Sequence, residues 1–450
     1  MYREEWIERI ERREVKLAVF GLGYVGLPTA LEFAKRGFEV TGVDVKPEVV
    51  EKLNSGESHI KELNLEELLQ RALSRGRFRA TLDGVGAARE CDAAVICVPT
   101  PVTREKIPDL RAVLAAGETI AKGLSRGKLV VLESTVHPTC TESELRPVLE
   151  KSGLRAGEDF GLAYVPERYN PGDEEHTVDK IVRVVGAVNR EWCDVAAELY
   201  RTIARGVHRV RDIKTAEAAK IIENVQRDLN IALMNELALI FERLGVDVYE
   251  VIEAAGTKWN FVKYYPGAGV GGHCLPVDPY YLTFKAQQLG FHPKVILAGR
   301  SVNDSMPAHV VELIVRGLNK LKKPVNGSKI VVLGLSYKKN TGDIRNSPSD
   351  VVIQELRELG AEVYAYDPFV GSEETIKKGA KFAEPMQIFN DADCVVLVTD
   401  HDRFRELEMK EVRRRAADEC LIVDGRGFFE KEAIKKLGFE YTGVGRAEQV

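Results

Sequence analysis

The chain has 450 residues, is 44% hydrophobic and 30% charged, and carries a net charge of −5. This is the balance of a soluble globular protein too long for one hydrophobic core, with no basic excess for nucleic acid to bind. No apolar run reaches the roughly 20 residues of a membrane helix. The seven cysteines are dispersed without paired spacing, which points to a reducing, cytoplasmic setting.

The N-terminal stretch MYREEWIERIERREV is charged from its third residue, unlike a secretory signal, and puts Trp6, Ile7 and Ile10 on one side of a short amphipathic helix. From there to about residue 212 the pattern is that of a dinucleotide-binding domain. Residues 15–20 predict an apolar strand, and Gly21, Gly23 and Gly26 form G-x-G-x-x-G. A helix is expected over about 24–36, and a second strand over 38–43 ends on Asp44. Gly21 makes the tight turn, Gly23 lets a pyrophosphate approach the backbone, and Gly26 lets helix pack on strand. The helix start offers free N–H groups to phosphate. Asp44 accepts hydrogen bonds from ribose hydroxyls and repels a 2′-phosphate, so NAD is expected rather than NADP. The expected cofactor contacts in this turn are Gly21, Gly23, Tyr24, Val25, Gly26 and Asp44.

Further strands are predicted at 92–98, 128–132 and 160–165. In a parallel sheet, ligands lie beyond the carboxyl ends of the strands. Thr100 and Thr135 follow two such ends; each is read either as a cofactor contact or as ordinary turn chemistry. Glu167 and Arg168 follow the third, as a solvated pair or as active-edge residues. No metal is expected.

Residues 213–322 read as a helical domain. Residues 214–244 contain neither Gly nor Pro, a length that suits an element spanning the molecule or building a dimer. Lys220, Asn224 and Arg227 share one face of it, as a wet polar stripe or as donors to an anionic ligand. A second helical region, 295–321, is expected to be interrupted at Pro307. Between them lies PGAGVGGHCLPVDPYYLT, in which glycines frame Cys274 and Asp278 follows four residues later. This reads either as a nucleophile on an accessible turn beside a carboxylate or as a compact apolar thiol.

Residues 323–450 repeat the opening theme. A strand ends at Gly334 and a later one at Asp367, but the third glycine is missing and Lys338, Lys339 and Arg345 occupy the loop. A phosphate held by side chains, and so a different nucleotide, is expected. Arg426 lies at another strand's carboxyl end. The predicted fold is α/β: two Rossmann-like doubly wound parallel-sheet domains joined by an all-helical one.

The motifs GLGYVGLP, ESTV, VPERYNPG, EAAKIIENVQRDLNIALMNE, PGAGVGGHCLPVDP and GLSYKKNTGDIRNSP, in this order, resemble those of the UDP-glucose/GDP-mannose dehydrogenases over nearly the whole chain from Lys16. Those are NAD-dependent enzymes that oxidise the C6 alcohol of a nucleotide sugar to a carboxylate. The resemblance implies a UDP-sugar substrate, two NAD per turnover and a covalent intermediate on Cys274. It implies Lys220 and Asn224 at the reacting oxygen, with Thr135 at the site, and Glu167 and Asp278 as proton acceptors. Arg168, Tyr169, Arg227, Lys258, Asn260, Gly271, Tyr337, Lys338 and Arg426 are implied to hold the UDP-sugar, Lys220, Asn224 and Glu167 also touching it, and Arg345 to lie near the cofactor or at the domain junction. GGHCLPVDPYYL, TKWNF and PERYNPGD are similar to the branch that uses UDP-N-acetylhexosamines; the glucose branch carries a lysine where this chain has Val277. A one-step dehydrogenase would need neither the cysteine loop nor the third domain. An inactive nucleotide-binding regulator would have no use for Cys274, Lys220 and Glu167 together.

Overall fold

The computed structural model describes residues 2–60, 64–103, 105–168 and 177–446. By its internal contacts the chain divides into two compact units: Met1–Glu223 with Tyr280–Phe291, and Asn224–Pro279 with His292–Val450.

The first unit holds strands β1 (Lys16–Phe20), β2 (Glu39–Val43), β3 (Phe78–Thr81), β4 (Ala93–Ile96), β5 (Leu129–Leu132), β6 (Gly161–Tyr164), β7 (Val182–Ala187) and β8 (Gly206–Arg209). They form one sheet in the order β3-β2-β1-β4-β5-β6-β7-β8. Every pair is parallel except β6 with β7. Strands β4, β5 and β6 are buried at every residue, which is why they read as unbroken apolar runs and not as alternating ones. The order reverses between β1 and β4, the position where doubly wound sheets bind ligands. Helix α1 (Arg3–Glu11) buries Trp6 and Ile10 in this unit's core, with Ile7 half-buried. The Trp6 indole N–H donates to the Gly127 carbonyl at 3.0 Å and its ring meets Trp192 edge-on. Helix α2 (Gly26–Lys35) packs on β2.

The second unit holds β9 (Lys329–Leu333), β10 (Glu362–Tyr366), β11 (Cys394–Leu397), β12 (Leu421–Asp424) and β13 (Glu440–Gly443), all parallel, in the order β10-β9-β11-β12-β13. This is the shorter doubly wound order, reversing between its first and third strands. Helix α3 (Ile213–Leu244) begins in the first unit and ends in the second. Helices α4 (Val248–Ala255), α5 (Asp278–Gln288), α6 (Lys294–Lys320) and α7 (Pro348–Glu358) follow. Met234, Ile252, Val310 and Ile314 from the helices share one core with Ile330, Val332, Val396 and Leu421 from the sheet.

Pro307 does not interrupt α6, which runs through it. An interior proline costs about 3 kcal/mol by deleting one N–H. Around it α6 buries Met306, Val310, Val311, Leu313 and Ile314, each contributing about 1.5–3 kcal/mol as an upper estimate, so packing wins. The Asn303 carbonyl that Pro307 leaves without its helical partner lies beside Gly269.

Candidate active site

The turn after β1 carries the constraints expected of a phosphate cradle. Gly21 has φ +91° and donates to the Val43 carbonyl at 2.8 Å. A Cβ on Gly26 would stand 1.8 Å from the Gly21 carbonyl oxygen, whereas one on Gly23 would meet nothing within 4 Å. Gly26 is therefore demanded by the protein's own packing, and Gly23 leaves open space where a pyrophosphate approaches backbone. Asp44, half-buried, accepts from Leu22 N at 3.0 Å and Lys46 N at 3.1 Å. Tyr24 is exposed and Val25 half-buried beside it. These residues fit NAD. Thr100 and Thr135 are both half-buried beyond strand ends, and the Thr100 carbonyl accepts from the Tyr281 hydroxyl at 2.8 Å.

In the second unit the glycine-rich loop runs into α5. Its Cys274 carbonyl accepts from Val277 N at 3.0 Å and Asp278 N at 2.8 Å, a turn that starts the helix. Asp278 is buried, and the Asn224 side-chain amide donates to it at 2.5 Å. The six other cysteines are buried while Cys274 is half-buried. Burial raises the thiol pKa at all six, to about 12 at Cys91 and Cys420, which leaves them protonated and inert.

The loop after β9 lies directly on this turn. A Cβ on Gly271 would come within 2.6 Å of the Asn346 carbonyl oxygen and 2.7 Å of the Tyr337 side chain; one on Gly272, whose φ is +93°, would strike the Tyr337 ring. The Arg426 guanidinium covers Gly267 in the same way. Lys338 is half-buried in this loop, and its carbonyl accepts from the Ser336 and Thr341 hydroxyls at 3.1 Å. Arg345 forks onto Asp343, with Nε at 2.9 Å and Nη2 at 2.5 Å. Burial works to raise the Asp343 pKa, but the Arg345 bonds hold it below the usual range.

Three family models match the sequence: the UDP-glucose/GDP-mannose dehydrogenase NAD-binding domain over residues 15–204, the central domain over 214–305 and the UDP-binding domain over 331–431. The chain belongs to the UDP-glucose/GDP-mannose dehydrogenase family. Among its relatives is a UDP-N-acetyl-D-glucosamine 6-dehydrogenase of Pseudomonas aeruginosa, 42% identical over 92% of this chain and 96% of that one. The solved UDP-D-ManNAc dehydrogenase of Pyrococcus horikoshii is 37% identical, with TM-score 0.89 over 96% of this chain and 99% of that one. A solved NDP-N-acetyl-D-galactosaminuronic acid dehydrogenase of Methanosarcina mazei is 33% identical, with TM-score 0.84 over 98% of each chain. The protein is thus an NAD-dependent nucleotide-sugar dehydrogenase with a UDP-binding domain and a UDP-sugar substrate.

Within this dehydrogenase the second unit gathers Cys274, Asp278, Asn224, Gly271, Tyr337 and Lys338 around two loops. Arg227, Lys258 and Asn260 are exposed on the same unit. Lys220 is half-buried on the first-unit part of α3. Tyr169 lies outside the described residues. Glu167 is buried and ion-paired with Arg183, itself fully buried. Arg168 donates its backbone N–H to Glu167 at 2.6 Å and pairs its side chain with Glu223 at 2.8 Å. The Arg183 guanidinium also faces the Tyr200 ring at 5.8 Å. The Tyr200 hydroxyl donates to Glu133 at 2.5 Å, and Glu133 takes a further bond from Thr29 on α2 at 3.3 Å. Burial pushes the Glu133 carboxyl pKa up despite Arg183. Glu133 opens the ESTV motif, whereas Arg183 and Tyr200 lie outside every motif quoted above; the available signal was an arginine inside the apolar strand VRVVGA.

A chain of buried amides, likewise unforeseen, supports the cysteine loop from behind. Gly267 N donates to Asn235 at 2.9 Å, Asn235 to Asn303 at 2.8 Å, and Asn303 to Asp228 at 2.8 Å, with Arg300 on Asp228 at 2.6 Å. Among the described residues no helix is long and apolar enough to cross a membrane.

Proposed function

We propose that this dehydrogenase oxidises the C6 alcohol of a UDP-N-acetylhexosamine, UDP-N-acetylglucosamine foremost, through the aldehyde to the uronic acid, with Cys274 holding the sugar covalently during the second oxidation. The observation that carries this reading is the setting of Cys274. It is the half-buried thiol among six buried ones, at the end of a glycine loop, with Asp278 and Asn224 bonded to each other nearby.

NAD, held by Gly21, Gly23, Tyr24, Val25, Gly26, Asp44, Thr100 and Thr135 with Arg345, supplies the acceptor for both hydrides. The Cys274 thiolate adds to the C6 aldehyde carbon and gives a thiohemiacetal, whose oxidation leaves a thioester that water cleaves to the acid. Sulfur suits the step because a thiolate adds readily to carbonyls and its acyl product is easily hydrolysed. Lys220 and Asn224 donate to the oxygen at C6, where negative charge develops. Asp278 and Glu167 take protons from alcohol and water. Arg168, Tyr169, Arg227, Lys258, Asn260, Gly271, Tyr337, Lys338 and Arg426 hold the UDP-sugar. The three-part organisation 1–212, 213–322 and 323–450 belongs to the same reading: NAD binding, the cysteine loop and UDP binding. The enzyme works in the cytoplasm as a homodimer, its partner copy covering Leu233, Ile240 and Leu244, which α3 leaves exposed.

A second reading, UDP-N-acetylmannosamine, draws support from the similarity to the Pyrococcus UDP-D-ManNAc dehydrogenase. UDP-glucose is disfavoured by the buried Val277. The test is NADH formation with the glucose, N-acetylglucosamine, N-acetylmannosamine and N-acetylgalactosamine nucleotides side by side. Two NADH per sugar are expected with an acetylated hexosamine, and none from Cys274→Ser beyond the first oxidation. One NADH per sugar in the native enzyme, or two from the serine variant, would overturn the reading.

A further inference from the structure

We propose that Asn346 is a positioning residue for Cys274, and that through it the nucleotide-binding loop sets the placement of the thiol according to whether a nucleoside diphosphate is bound. This rests on the reading of Cys274 as the nucleophile.

The loop between β9 and α7 carries Tyr337, Lys338, Arg345 and Asn346. It touches the cysteine loop by three routes within one unit. The Asn346 side-chain amide donates to the Gly272 carbonyl at 3.0 Å. The Tyr337 ring lies flush against Gly272 and edge-on to His273, with centroids 6.1 Å apart. His273 Nδ1 stands 3.8 Å from the Asp343 carboxylate that Arg345 grips, and Tyr337 N donates to the Asp343 carbonyl at 3.0 Å.

The Asn346 bond is the direct one, because Gly272 is two residues from Cys274 and has the left-handed backbone that only glycine takes easily. Past that carbonyl, φ and ψ of His273 and then φ and χ1 of Cys274 determine where the sulfur points. Gly271 and Gly272 admit no side chain, so the two loops shift together or not at all. A diphosphate drawn to Lys338 therefore moves or fixes the same loop that holds the Gly272 carbonyl. Misplacing a reacting group by about 1 Å is enough to lower a rate by about a hundredfold.

Asn346 has φ +47°, so alanine there would add backbone strain of its own. Asn346→Gly deletes the amide and keeps the backbone, and Asn346→Asp keeps the shape and removes the donor. Three quantities are compared with the native enzyme: calorimetric affinity for UDP, the rate of Cys274 alkylation by iodoacetamide with and without UDP, and turnover with the best UDP-sugar. In both variants UDP affinity should stay within about threefold and kcat should fall by about a hundredfold with KM little changed. The effect of UDP on Cys274 alkylation, present in the native enzyme, should vanish. Native kcat with a native UDP effect on alkylation overturns the proposal. So does a loss of UDP affinity as large as the loss of kcat, which would make Asn346 a ligand contact only. Cys274→Ala, run alongside, separates the two claims: if it still yields two NADH per sugar the nucleophile reading fails, and if it is dead while both Asn346 variants are fully active only the positioning role fails.

Discussion

After β1 the chain passes through residues 21–25 and enters α2 at once; after β9 it wanders through residues 334–347 before α7 begins. The two sheets otherwise share a frame. Gly21 and Gly334 have φ near +90° and both donate across to the neighbouring strand, to Val43 and Tyr366. Each second strand is followed by an aspartate, Asp44 or Asp367. The difference lies in what those acids are free to do. Asp44 is half-buried at the surface of its turn. Asp367 is 3% exposed, accepts from Leu335 N at 2.8 Å and Ser336 N at 2.9 Å, and is met by His401 Nε2 at 2.9 Å. His401 Nδ1 accepts from Asn340 N at 2.9 Å, so the ring proton sits on Nε2 and is donated to Asp367. The second acid is buried and braces its own loop, which takes it out of a ribose's reach. On the reading proposed above, the frame holds a dinucleotide in the unit where the third glycine closes the turn and the acid stays at the surface.

The strongest challenge to this contrast is Gly26→Ala. With a Cβ 1.8 Å from the Gly21 carbonyl, the first unit should lose more than about 4 kcal/mol of stability, seen as a large drop in Tm or insoluble protein. Next comes a crossed pair. Lys338→Ala should raise KM for the UDP-sugar about tenfold or more and leave KM for NAD alone, as expected for a lost charge-assisted bond. Gly23→Ala should do the reverse with Tm nearly unchanged, because its Cβ meets no protein atom. Equal effects of either variant on both substrates would erase the distinction between the cradles. A smaller effect is expected of Asp44→Asn, a gain of about tenfold in kcat/KM for NADP relative to NAD, since one repulsion is removed without a new attraction.

The two halves should also fail at opposite ends of the pH scale. Burial raises the pKa of Glu217 to about 7 from its ordinary 4.5, against hydrogen bonds from Thr141 and Thr139. The folded chain then holds a proton that the unfolded chain releases, so stability in the first unit declines as pH rises from 4.5 to about 7, by on the order of 3 kcal/mol at most. Asp367 is the opposite case. Burial opposes its charge, but His401 and the amides of Ser336 and Phe369 outweigh that and hold its pKa below 3.8. Its contribution is complete above that value and is lost as pH falls through the lower, folded one. Hydrogen exchange by peptide, corrected for intrinsic rates, should show residues 139–145 loosening first toward alkali and residues 335–340 first toward acid. The same unit leading at both ends would contradict this.

Local pattern made the first cradle, the long central helix and the cysteine loop legible, because each depends on spacing within one stretch. What stayed hidden depends on partners far away in sequence. Asn346 looked like any turn residue until its amide met Gly272. His401 gave no sign of bracing a loop that it meets at Ser336 and Asn340, more than sixty residues earlier. Glu167 was singled out from its strand end, but its grip by Arg183 was not, although a lone arginine in an apolar strand demands a counter-charge. Pro307 misled in the other direction, since a breaker read locally is overruled by the core that α6 covers.

The interleaving of Gly271 and Gly272 with Tyr337 and Asn346 constrains how this scaffold can diversify. Transplanting a relative's residues 334–348 by themselves would leave foreign side chains pressed on the cysteine turn, and grafting 266–279 alone would do the same in reverse. Chimaeras built to accept another nucleotide should succeed when both stretches are inherited from one parent, as a single exchangeable cassette.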